Sequence, residues 1–464
     1  MYGIGIDFGT SNCAVALYDG EEVRHTILER DSPTPEVMPS ALYLARDKSF
    51  AVGRAAIDAY VRDNTGRSIR LRREEVGEIE VTVAGTADTV GSDDGAITDH
   101  FKVHAYTDQE LPGRLFRGVK RWLGNSAIDR VRVFDARYRI VALATPILVA
   151  LQQSVRREGG DGRGNTLVGR PIHYEGRGVD SDRVAIERMS EACRHAGLGS
   201  ASFHAEPTAA ALSYLHGSPA AGSRTVMSFD FGGGTLDLCL MRARGPHFDV
   251  LATHGIPVGG DEIDRQICRS VVFPELGEGA SLRVLGDTEL RAIPFPMSDY
   301  GERLLNWMQA HELNRPELLE PIARGARQAG EAGTCLGRLY GLITGNYVFA
   351  LFREIERAKV ELSDRERATI ELAEIDLSIE LERQQLDELL APLLLDVARC
   401  IDDALAAAGV SSNSVDVVVR TGGSSRIPAV VQLLEEMFPG RVVEHGAFTS
   451  IAAGLAIAAA GAGG

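Results

Sequence analysis

The sequence lacks any apolar run of membrane-spanning length and any closely spaced pair of cysteines. A transmembrane helix needs about 20 consecutive apolar residues; the Ala-rich stretch 451–460 is shorter and predicts a terminal helix. The six cysteines are scattered without a CxxC pair, which argues against a metal site and indicates buried thiols in a reducing compartment. A strand is predicted from residue 2 onwards, so we expect no signal peptide and a cytoplasmic location.

Basic residues are also in deficit. The chain has 49 Lys and Arg against 65 Asp and Glu, a formal net charge of -16. Nucleic acids and anionic membranes are bound by clustered Lys and Arg, so we expect neither as a partner. A nucleotide is not excluded, because a few local donors and Mg²⁺ can bind one. The 464 residues, of which 44% are apolar, predict a globular protein of two or three lobes.

The chain is organised around a glycine-rich turn in its middle. An apolar run reaches Asp230, and an alternating run resumes after Thr235. Between them lie three glycines, Gly232, Gly233 and Gly234. The pattern predicts a β-hairpin whose tip directs N–H groups at an anion. Asp230 and Asp237 flank the tip, and carboxylates beside a phosphate make sense mainly with a divalent cation between them.

A second copy of the motif opens the chain. On its own, a glycine turn between two strands is more often a plain turn, and it is the repetition of the motif that favours a phosphate-binding role. Residues 2–17 again follow the order of strand, Asp, Gly, hydroxyl residues and strand. The residues at this turn are Asp7, Gly9, Thr10, Ser11 and Asn12. Two such hairpins, one near the start of each half, predict a duplicated α/β fold whose lobes close on one phosphate chain.

Two charged residues between the hairpins are further candidates. Glu206 precedes Pro207, which suits a first helical turn, so Glu206 is predicted to cap a helix at the carboxyl end of a strand. Lys120 on its own is explained as a solvated surface residue. Its apolar neighbours are predicted to pack on one helical side and to fix its direction; they are Phe116, Val119, Trp122 and Leu123.

Three more segments offer contacts to a nucleotide. Two glycines before a helix present free N–H groups to an anion. A helix predicted over 346–362 carries a row of polar residues beside its apolar stripe, although such a row is usually a solvated face. A third glycine turn, between a strand and a helix, ends in an arginine free to stack on a base. The residues concerned are Gly259, Gly260, Glu356, Lys359, Ser363, Gly422, Gly423, Ser424 and Arg426.

Taken in order, these segments resemble the ATPase domain of the 70-kilodalton heat-shock chaperone family. The two Asp-Phe-Gly turns look like its phosphate loops, 206–214 looks like its connecting motif, and 356–363 and 422–428 look like its adenosine-binding segments. The resemblance covers most of the chain and implies an actin-like ATPase fold, that is, duplicated ribonuclease H-like lobes around a nucleotide cleft. We expect lobes over 1–220 and 221–464, with inserted subdomains at about 63–112 and 273–345.

The resemblance also implies roles for individual residues. The chain would bind ATP or ADP with Mg²⁺ and hydrolyse ATP slowly, acting through a protein partner such as an unfolded protein or a co-chaperone. Asp7 and Asp230 would hold the water shell of Mg²⁺, and Glu206 would position the attacking water. Lys120 and Thr235 would face the γ-phosphate. The turn residues would cradle the phosphates, and the adenosine would be surrounded by Glu356, Lys359, Ser363 and Arg426.

Several departures from the family pattern bear on function. Val360 stands where an arginine usually lies against the adenine, and Phe448 and Thr449 replace acidic residues. We expect the family's interdomain linker and peptide-binding domain to be absent, an organisation that resembles the YegD-like branch. Two alternative functions stay open: a filament-forming actin-like protein, which 258–264 also fits, and a small-molecule kinase of the same superfold.

Overall fold

The computed structural model describes residues 2–83, 97–159, 164–176, 180–199, 201–217, 222–244, 247–285 and 290–461. These residues form two α/β lobes, each built on a central mixed sheet. None of the helices in this part of the chain combines the length and the apolar character that crossing a membrane requires.

The first lobe is built on a six-stranded sheet with the order β13-β12-β1-β2-β3, in which β4 also pairs with β2. The strands of the whole lobe, including those outside this sheet, are β1 (Gly3–Phe8), β2 (Asn12–Tyr18), β3 (Val23–His25), β4 (Val37–Pro39), β5 (Ala41–Ala45), β6 (Phe50–Val52), β7 (Leu71–Val83), β8 (Ile97–Asp108), β9 (Gly113–Arg117), β10 (Arg130–Val133), β11 (Ala136–Arg139), β12 (Asn165–Arg170) and β13 (Ser202–Ala205). Its helices are α1 (Arg54–Asn64), α2 (Lys120–Leu123), α3 (Ile140–Arg157), α4 (Ser181–His195) and α5 (Glu206–Gly217).

The second lobe repeats this arrangement in a five-stranded sheet with the order β16-β15-β14-β21-β22. Its strands are β14 (Ser223–Phe231), β15 (Leu236–Arg244), β16 (His247–Ile256), β17 (Ser281–Leu285), β18 (Leu290–Pro294), β19 (Arg367–Leu372), β20 (Leu377–Glu382), β21 (Val417–Thr421) and β22 (Val442–Glu444). Its helices are α6 (Gly260–Ile267), α7 (Phe273–Glu275), α8 (Ser298–Leu304), α9 (Pro316–Ala326), α10 (Glu331–Thr344), α11 (Val348–Glu361), α12 (Arg383–Ala408), α13 (Pro428–Met437) and α14 (Ser450–Gly461).

The two sheets are related element by element. In each, the central strand forms an antiparallel hairpin with the next strand and a parallel pair on its other side: β1 with β2 and β12, and β14 with β15 and β21. All six residues of β1 are buried, as a strand covered on both faces requires. The predicted duplication is therefore confirmed, and it places Asp7 and Asp230 near the carboxyl ends of equivalent strands.

The last helix, α14, packs on the first lobe although it follows the second in sequence. A side chain at Gly3 would lie 2.1 Å from the carbonyl oxygen of Ala456, and one at Gly5 would lie 2.1 Å from that of Ala452. Only glycine allows a helix backbone to approach a strand this closely. The predicted terminal helix thus covers the first strand, and the lobe bounds 1–220 and 221–464 stay a prediction.

The two predicted insertions differ in how they pack. In the first, β7 and β8 form a two-stranded sheet of their own, and the part of 63–112 between them lies outside the described residues. In the second, α7 to α10 share one hydrophobic core with the sheet of the lobe, through buried residues such as Leu276, Tyr300 and Leu336. The region 273–345 is thus packed as part of its lobe.

Three local predictions were wrong in detail. Helix α5 begins at Glu206, so this residue lies in the first turn instead of capping it. Phe116 lies in β9, and α2 spans only four residues, so the direction of Lys120 is fixed by a strand as well as a helix. The acidic stretch 381–408 predicts one helix from its sequence, whereas α12 begins at Arg383, because β19 and β20 form a hairpin directly before it.

The outer parts of the two lobes meet in a group of three aromatic residues, Tyr60 of α1, Phe349 of α11 and Trp307, which we term the aromatic clasp. Ring centroids lie 5.7 Å apart for Tyr60 and Trp307, 5.0 Å for Tyr60 and Phe349, and 4.8 Å for Trp307 and Phe349. Beside it, the amide of Gly66 donates to the carbonyl of Gly345 at 2.8 Å. The lobes are therefore joined at the outer rim of the cleft between them.

Candidate active site

The two glycine turns face each other across the cleft between the lobes. A side chain at Gly233 would lie 2.1 Å from the hydroxyl oxygen of Ser11, so the first turn approaches the second closely at this glycine. The amide of Gly232 donates to Thr235 at 3.0 Å. Among the described residues, the amides of Gly233 and Gly234 have no hydrogen-bond partner, which leaves them able to bind an anion.

Most of the predicted phosphate and metal residues line a single cavity. This inner cleft includes Asp7, Lys120, Glu206 and Asp230. The predicted turn residues that also line it are Gly9, Thr10, Ser11, Asn12, Gly232, Gly233, Gly234, Thr235, Gly422 and Gly423. Thr10 and Ser11 also line an adjoining outer cleft, together with Glu356 and two residues of the aromatic clasp.

The carboxyl groups of Asp7 and Asp230 in the inner cleft have raised pKa values. Burial, with the nearby Glu206 carboxylate, raises the pKa of Asp7 well above its usual value, and its Oδ1 atom is buried with no hydrogen-bond partner among the described residues. Burial and the neighbouring Asp237 raise the pKa of Asp230 to about 7, although Thr421 donates a hydrogen bond to it at 3.1 Å. A raised pKa means that the charged form of each carboxyl group is unfavourable in this site. A cation between the two groups would stabilise their charged forms.

Lys120 and Glu206 form a buried ion pair in the floor of the cleft. The Lys120 ammonium donates to the Glu206 carboxylate at 2.5 Å, and the two residues are 6% and 7% exposed. A side chain at Gly169 would lie 3.0 Å from Glu206 Oε1, so this glycine of β12 makes room for the carboxylate. Burial lowers the pKa of Lys120, but Glu206 and Asp7 outweigh it and raise the value overall. The solvated-surface explanation of Lys120 is wrong.

Thr235 is held by a second carboxylate of the same hairpin. Its hydroxyl donates to Asp237 at 2.8 Å, and Asp237 is paired with Asp230 across the two strands. Burial raises the pKa of Asp237 to about 6. Asp237 lines the inner cleft and was not among the predicted site residues, although the sequence showed that it flanks the tip.

The glycines before α6 differ from the prediction. The amide of Gly260 donates to the carbonyl of Gly232 at 3.0 Å, and that of Asp261 donates to Gly233 at 2.8 Å. A side chain at Gly259 would lie 2.5 Å from the carbonyl carbon of Gly233. In this structure the Gly260 N–H therefore supports the second turn instead of being free for an anion, because the backbone of that turn lies directly against it.

The predicted adenosine residues on α11 are only partly brought together. Lys359 is buried and forms an ion pair with Asp264 at 2.6 Å, and it also donates to the Gly260 carbonyl at 3.1 Å. Glu356 Oε2 lies 3.9 Å from Nη1 of Arg117 in the other lobe. Ser363 lies beyond the end of the helix. Val360, at the position of the missing arginine, is 59% exposed.

The third glycine turn is docked on the second phosphate turn. Gly422 has a φ of 80°, a left-handed conformation that favours glycine, and the Ser424 hydroxyl donates to the Gly232 carbonyl at 2.8 Å. Arg426 is exposed, and its Nε lies 3.7 Å from Glu444. The ring of Phe448 lies beside Gly423, at the inner cleft.

The donor set fits Mg²⁺ held largely through water and phosphate. Among the described residues, no group of three or more His, Cys, Asp and Glu side chains is placed to hold a metal ion directly. Mg²⁺ typically keeps several waters and takes one or two carboxylates together with substrate phosphates. Asp7, with its unpartnered oxygen, and Asp230, with its raised pKa, are the residues that would hold such an ion.

Besides Asp237, two further cleft residues were missed by the sequence analysis. Arg121 follows Lys120, and its guanidinium reaches the other lobe to contact Asp261 at 2.7 Å and lies over Gly234. Tyr174 follows β12 and lines the inner cleft beside Lys120. The adjacency of Arg121 to a predicted site lysine was an available signal, whereas nothing near Tyr174 in the sequence marked it.

The chain is similar to known proteins along almost all of its length. The family described as Hsp70 protein matches residues 104–276 and 346–462. The heat shock 70 kDa protein BIP3 of Oryza sativa subsp. japonica is 28% identical over 453 residues, which are 96% of this chain and 54% of that protein. The chaperone protein DnaK of Thermus thermophilus is 26% identical over 450 residues, 94% of this chain and 56% of that protein. The chain thus spans about half the length of the curated relatives it matches.

Proposed function

The chain belongs to the Hsp70 family, whose ATPase domain has the actin-like fold, and we propose that it binds ATP with Mg²⁺ and hydrolyses it slowly. The observation that carries this proposal is the meeting of two glycine turns, two high-pKa carboxyls and a buried Lys–Glu pair around one cleft. Catalysis of phosphoryl transfer depends mainly on positioning and electrostatic stabilisation, which such a set can supply.

Each residue of the set has a proposed role. The amides of Gly233 and Gly234, with Thr10 and Ser11, bind the phosphates, and Lys120 neutralises charge on the γ-phosphate. Glu206 orients the attacking water. Asp7 and Asp230 would hold Mg²⁺, which when bound would supply neutralisation of the phosphate charge. Thr235, whose hydroxyl donates a hydrogen bond to Asp237, faces the γ-phosphate.

The adenosine is proposed to lie in the outer cleft. Glu356 lines that cleft, and Lys359, Ser363 and Arg426 are the further residues that the family resemblance assigns to the adenosine. Because Val360 replaces an arginine there, the affinity for the base is proposed to be lower than in relatives with the arginine.

Lobe closure around the nucleotide is proposed to act on a protein partner, an unfolded protein or a co-chaperone, in the cytoplasm. The supporting observations are the family membership and the six cysteines, which are all buried and free, as in a reducing compartment. Membership of the YegD-like branch is part of this proposal. Neither the filament nor the small-molecule kinase alternative is favoured by an observation of the structure or by the similar proteins.

The test is ATP binding and turnover with and without Mg²⁺, measured on the wild type, Glu206→Ala and a control, Glu371→Ala, which removes an exposed carboxylate on β19. We expect Mg²⁺-dependent binding, slow turnover by the wild type and control, and loss of most turnover in Glu206→Ala with binding kept within a few-fold. Absence of nucleotide binding by the wild type would overturn the proposed function, and full turnover by Glu206→Ala would overturn the role of Glu206.

A further inference from the structure

Tyr174 places a buried hydroxyl with no partner at the inner cleft. The residue is 5% exposed, its ring belongs to the hydrophobic core of the first lobe, and its hydroxyl oxygen is buried without a hydrogen bond among the described residues. Leaving a buried hydroxyl unsatisfied is unfavourable for folding. A phenylalanine would fill the same core position without that cost, so the hydroxyl calls for an explanation outside stability.

The surroundings of Tyr174 fix the ring firmly. Its amide donates to Asp182 Oδ1 at 2.7 Å, which ties it to the start of α4. A side chain at Gly124 would lie 3.1 Å from its Cβ, so the residue packs against the end of the helix that begins at Lys120. The phenol is therefore held in place by two helices, so its position at the cleft is preorganised and does not depend on a ligand.

Both members of the buried ion pair act electrostatically on this phenol. Burial raises the pKa of Tyr174, with Lys120 acting against this rise and Glu206 adding to it. The phenol thus stays neutral at physiological pH and keeps a proton to donate. Tyr174, Lys120 and Glu206 all line the same cavity.

We propose that Tyr174 is a positioning residue for Glu206: its hydroxyl donates a hydrogen bond to the Glu206 carboxylate when Lys120 turns towards a bound phosphate. In the structure the ammonium of Lys120 donates to the Glu206 carboxylate. A lysine that moves to the γ-phosphate leaves a buried carboxylate short of a donor, and the neutral phenol replaces it without adding charge. This inference rests on the proposed ATP hydrolysis.

The experiment compares the wild type with Tyr174→Phe and with a matched control, Tyr300→Phe. Tyr300 is also buried, at 2% exposed, but lies in the second lobe, and its hydroxyl donates to the Leu318 carbonyl at 2.9 Å. The measurements are ATP affinity, single-turnover hydrolysis and the melting temperature of the nucleotide-free protein.

For Tyr174→Phe we expect ATP affinity within about twofold of wild type, single-turnover hydrolysis slower by about 10- to 100-fold, and an unchanged or higher melting temperature. For Tyr300→Phe we expect wild-type hydrolysis and a lower melting temperature, because it loses a satisfied hydrogen bond. This combination separates a positioning role from a structural one.

The results that overturn the inference are distinct from failure of the proposed function. Wild-type hydrolysis by Tyr174→Phe, in a protein that hydrolyses ATP, overturns the role of Tyr174 alone. A melting temperature lowered as much as in Tyr300→Phe shows that the hydroxyl is structural and also overturns it. A wild type that hydrolyses no ATP overturns both.

Discussion

Lys120 Nζ lies 2.5 Å from Glu206 Oε1, and less than a tenth of either residue is exposed to solvent. The two residues come from the helix after β9 and from the first turn after β13, so the contact depends on the assembled lobe. Removing one member of a buried ion pair typically costs about 3–5 kcal/mol, because it leaves the other charge without a partner.

We therefore expect Lys120→Met to lower the free energy of unfolding by about 3 kcal/mol and to abolish most ATP hydrolysis. The double variant Lys120→Met/Glu206→Gln removes both charges, so it should recover most of the stability and none of the hydrolysis. Urea unfolding and single-turnover kinetics measure the two effects. A double variant no more stable than Lys120→Met would show that the ion pair is not the source of the loss.

The pH dependence of stability without Mg²⁺ is expected to reflect Asp230. Burial raises its pKa from 3.8 to about 7, so between these values the native protein holds a proton that the unfolded chain has lost. This contribution is present below about pH 4 and is lost as the pH rises to about 7, a change of roughly 2–4 kcal/mol.

Asp230→Asn should remove this part of the pH dependence in urea unfolding between pH 5 and 8 with a chelator present, and Asp237→Asn should remove a smaller part, since the pKa of Asp237 is about 6. Asp364→Asn, which removes an exposed carboxylate outside the cleft, is the control. Equal pH slopes for the wild type and Asp230→Asn would contradict the prediction.

The aromatic clasp is expected to slow nucleotide release. Trp307 and Phe349 line the outer cleft, and each ring pair contributes about 0.5–1.5 kcal/mol beyond the area it buries. Trp307→Ala should therefore speed release of a fluorescent ADP analogue by roughly 10-fold in stopped-flow measurements. Tyr340→Ala, which removes an exposed aromatic side chain on α10 outside the clasp, should leave release unchanged. Equal release rates for the wild type and Trp307→Ala would show that the nucleotide leaves without opening the clasp.

Val360→Arg is expected to tighten ADP binding. The side chain of Val360 is exposed, so a longer residue fits without repacking, and a guanidinium against the base contributes about 0.5–2 kcal/mol. The expected gain is roughly 2- to 30-fold in affinity by titration calorimetry. Val360→Gln adds length without charge and should increase the affinity for ADP only slightly. If both variants bind ADP as the wild type does, the base does not lie against this position.

The fold was largely predictable because its signals are local. Each hairpin carries its own alternation and turn residues, and the repeated Asp-Phe-Gly turn identified the duplication. Because strand ends at one sheet edge meet, Asp7 and Glu206 could be placed together from sequence, and the repeated turn placed Asp230 at the equivalent edge of the second sheet. The hairpin of β19 and β20 was missed, because it directly precedes a long acidic helix and its strands have six residues each.

The contacts between elements far apart in sequence were not predictable, because no local pattern of residues marks them. The polar row on α11 looked like a solvated face, whereas Lys359 is buried against Asp264 of α6. Likewise the Gly260 amide seemed free in sequence but is used by the Gly232 carbonyl. Arg121 could be noticed beside Lys120, but its contact with Asp261 is seen only once the two lobes are assembled.

The packing of α14 on β1 has a consequence for how the protein is made. During synthesis the first strand is translated well before the helix that covers its glycines, because that helix follows the last strand of the second sheet. Until then the backbone groove at Gly3 and Gly5 stays open, and contacts between such distant segments form slowly. The first lobe therefore completes its fold only after the second has been translated, and a nascent chain halted in the second lobe would expose this groove.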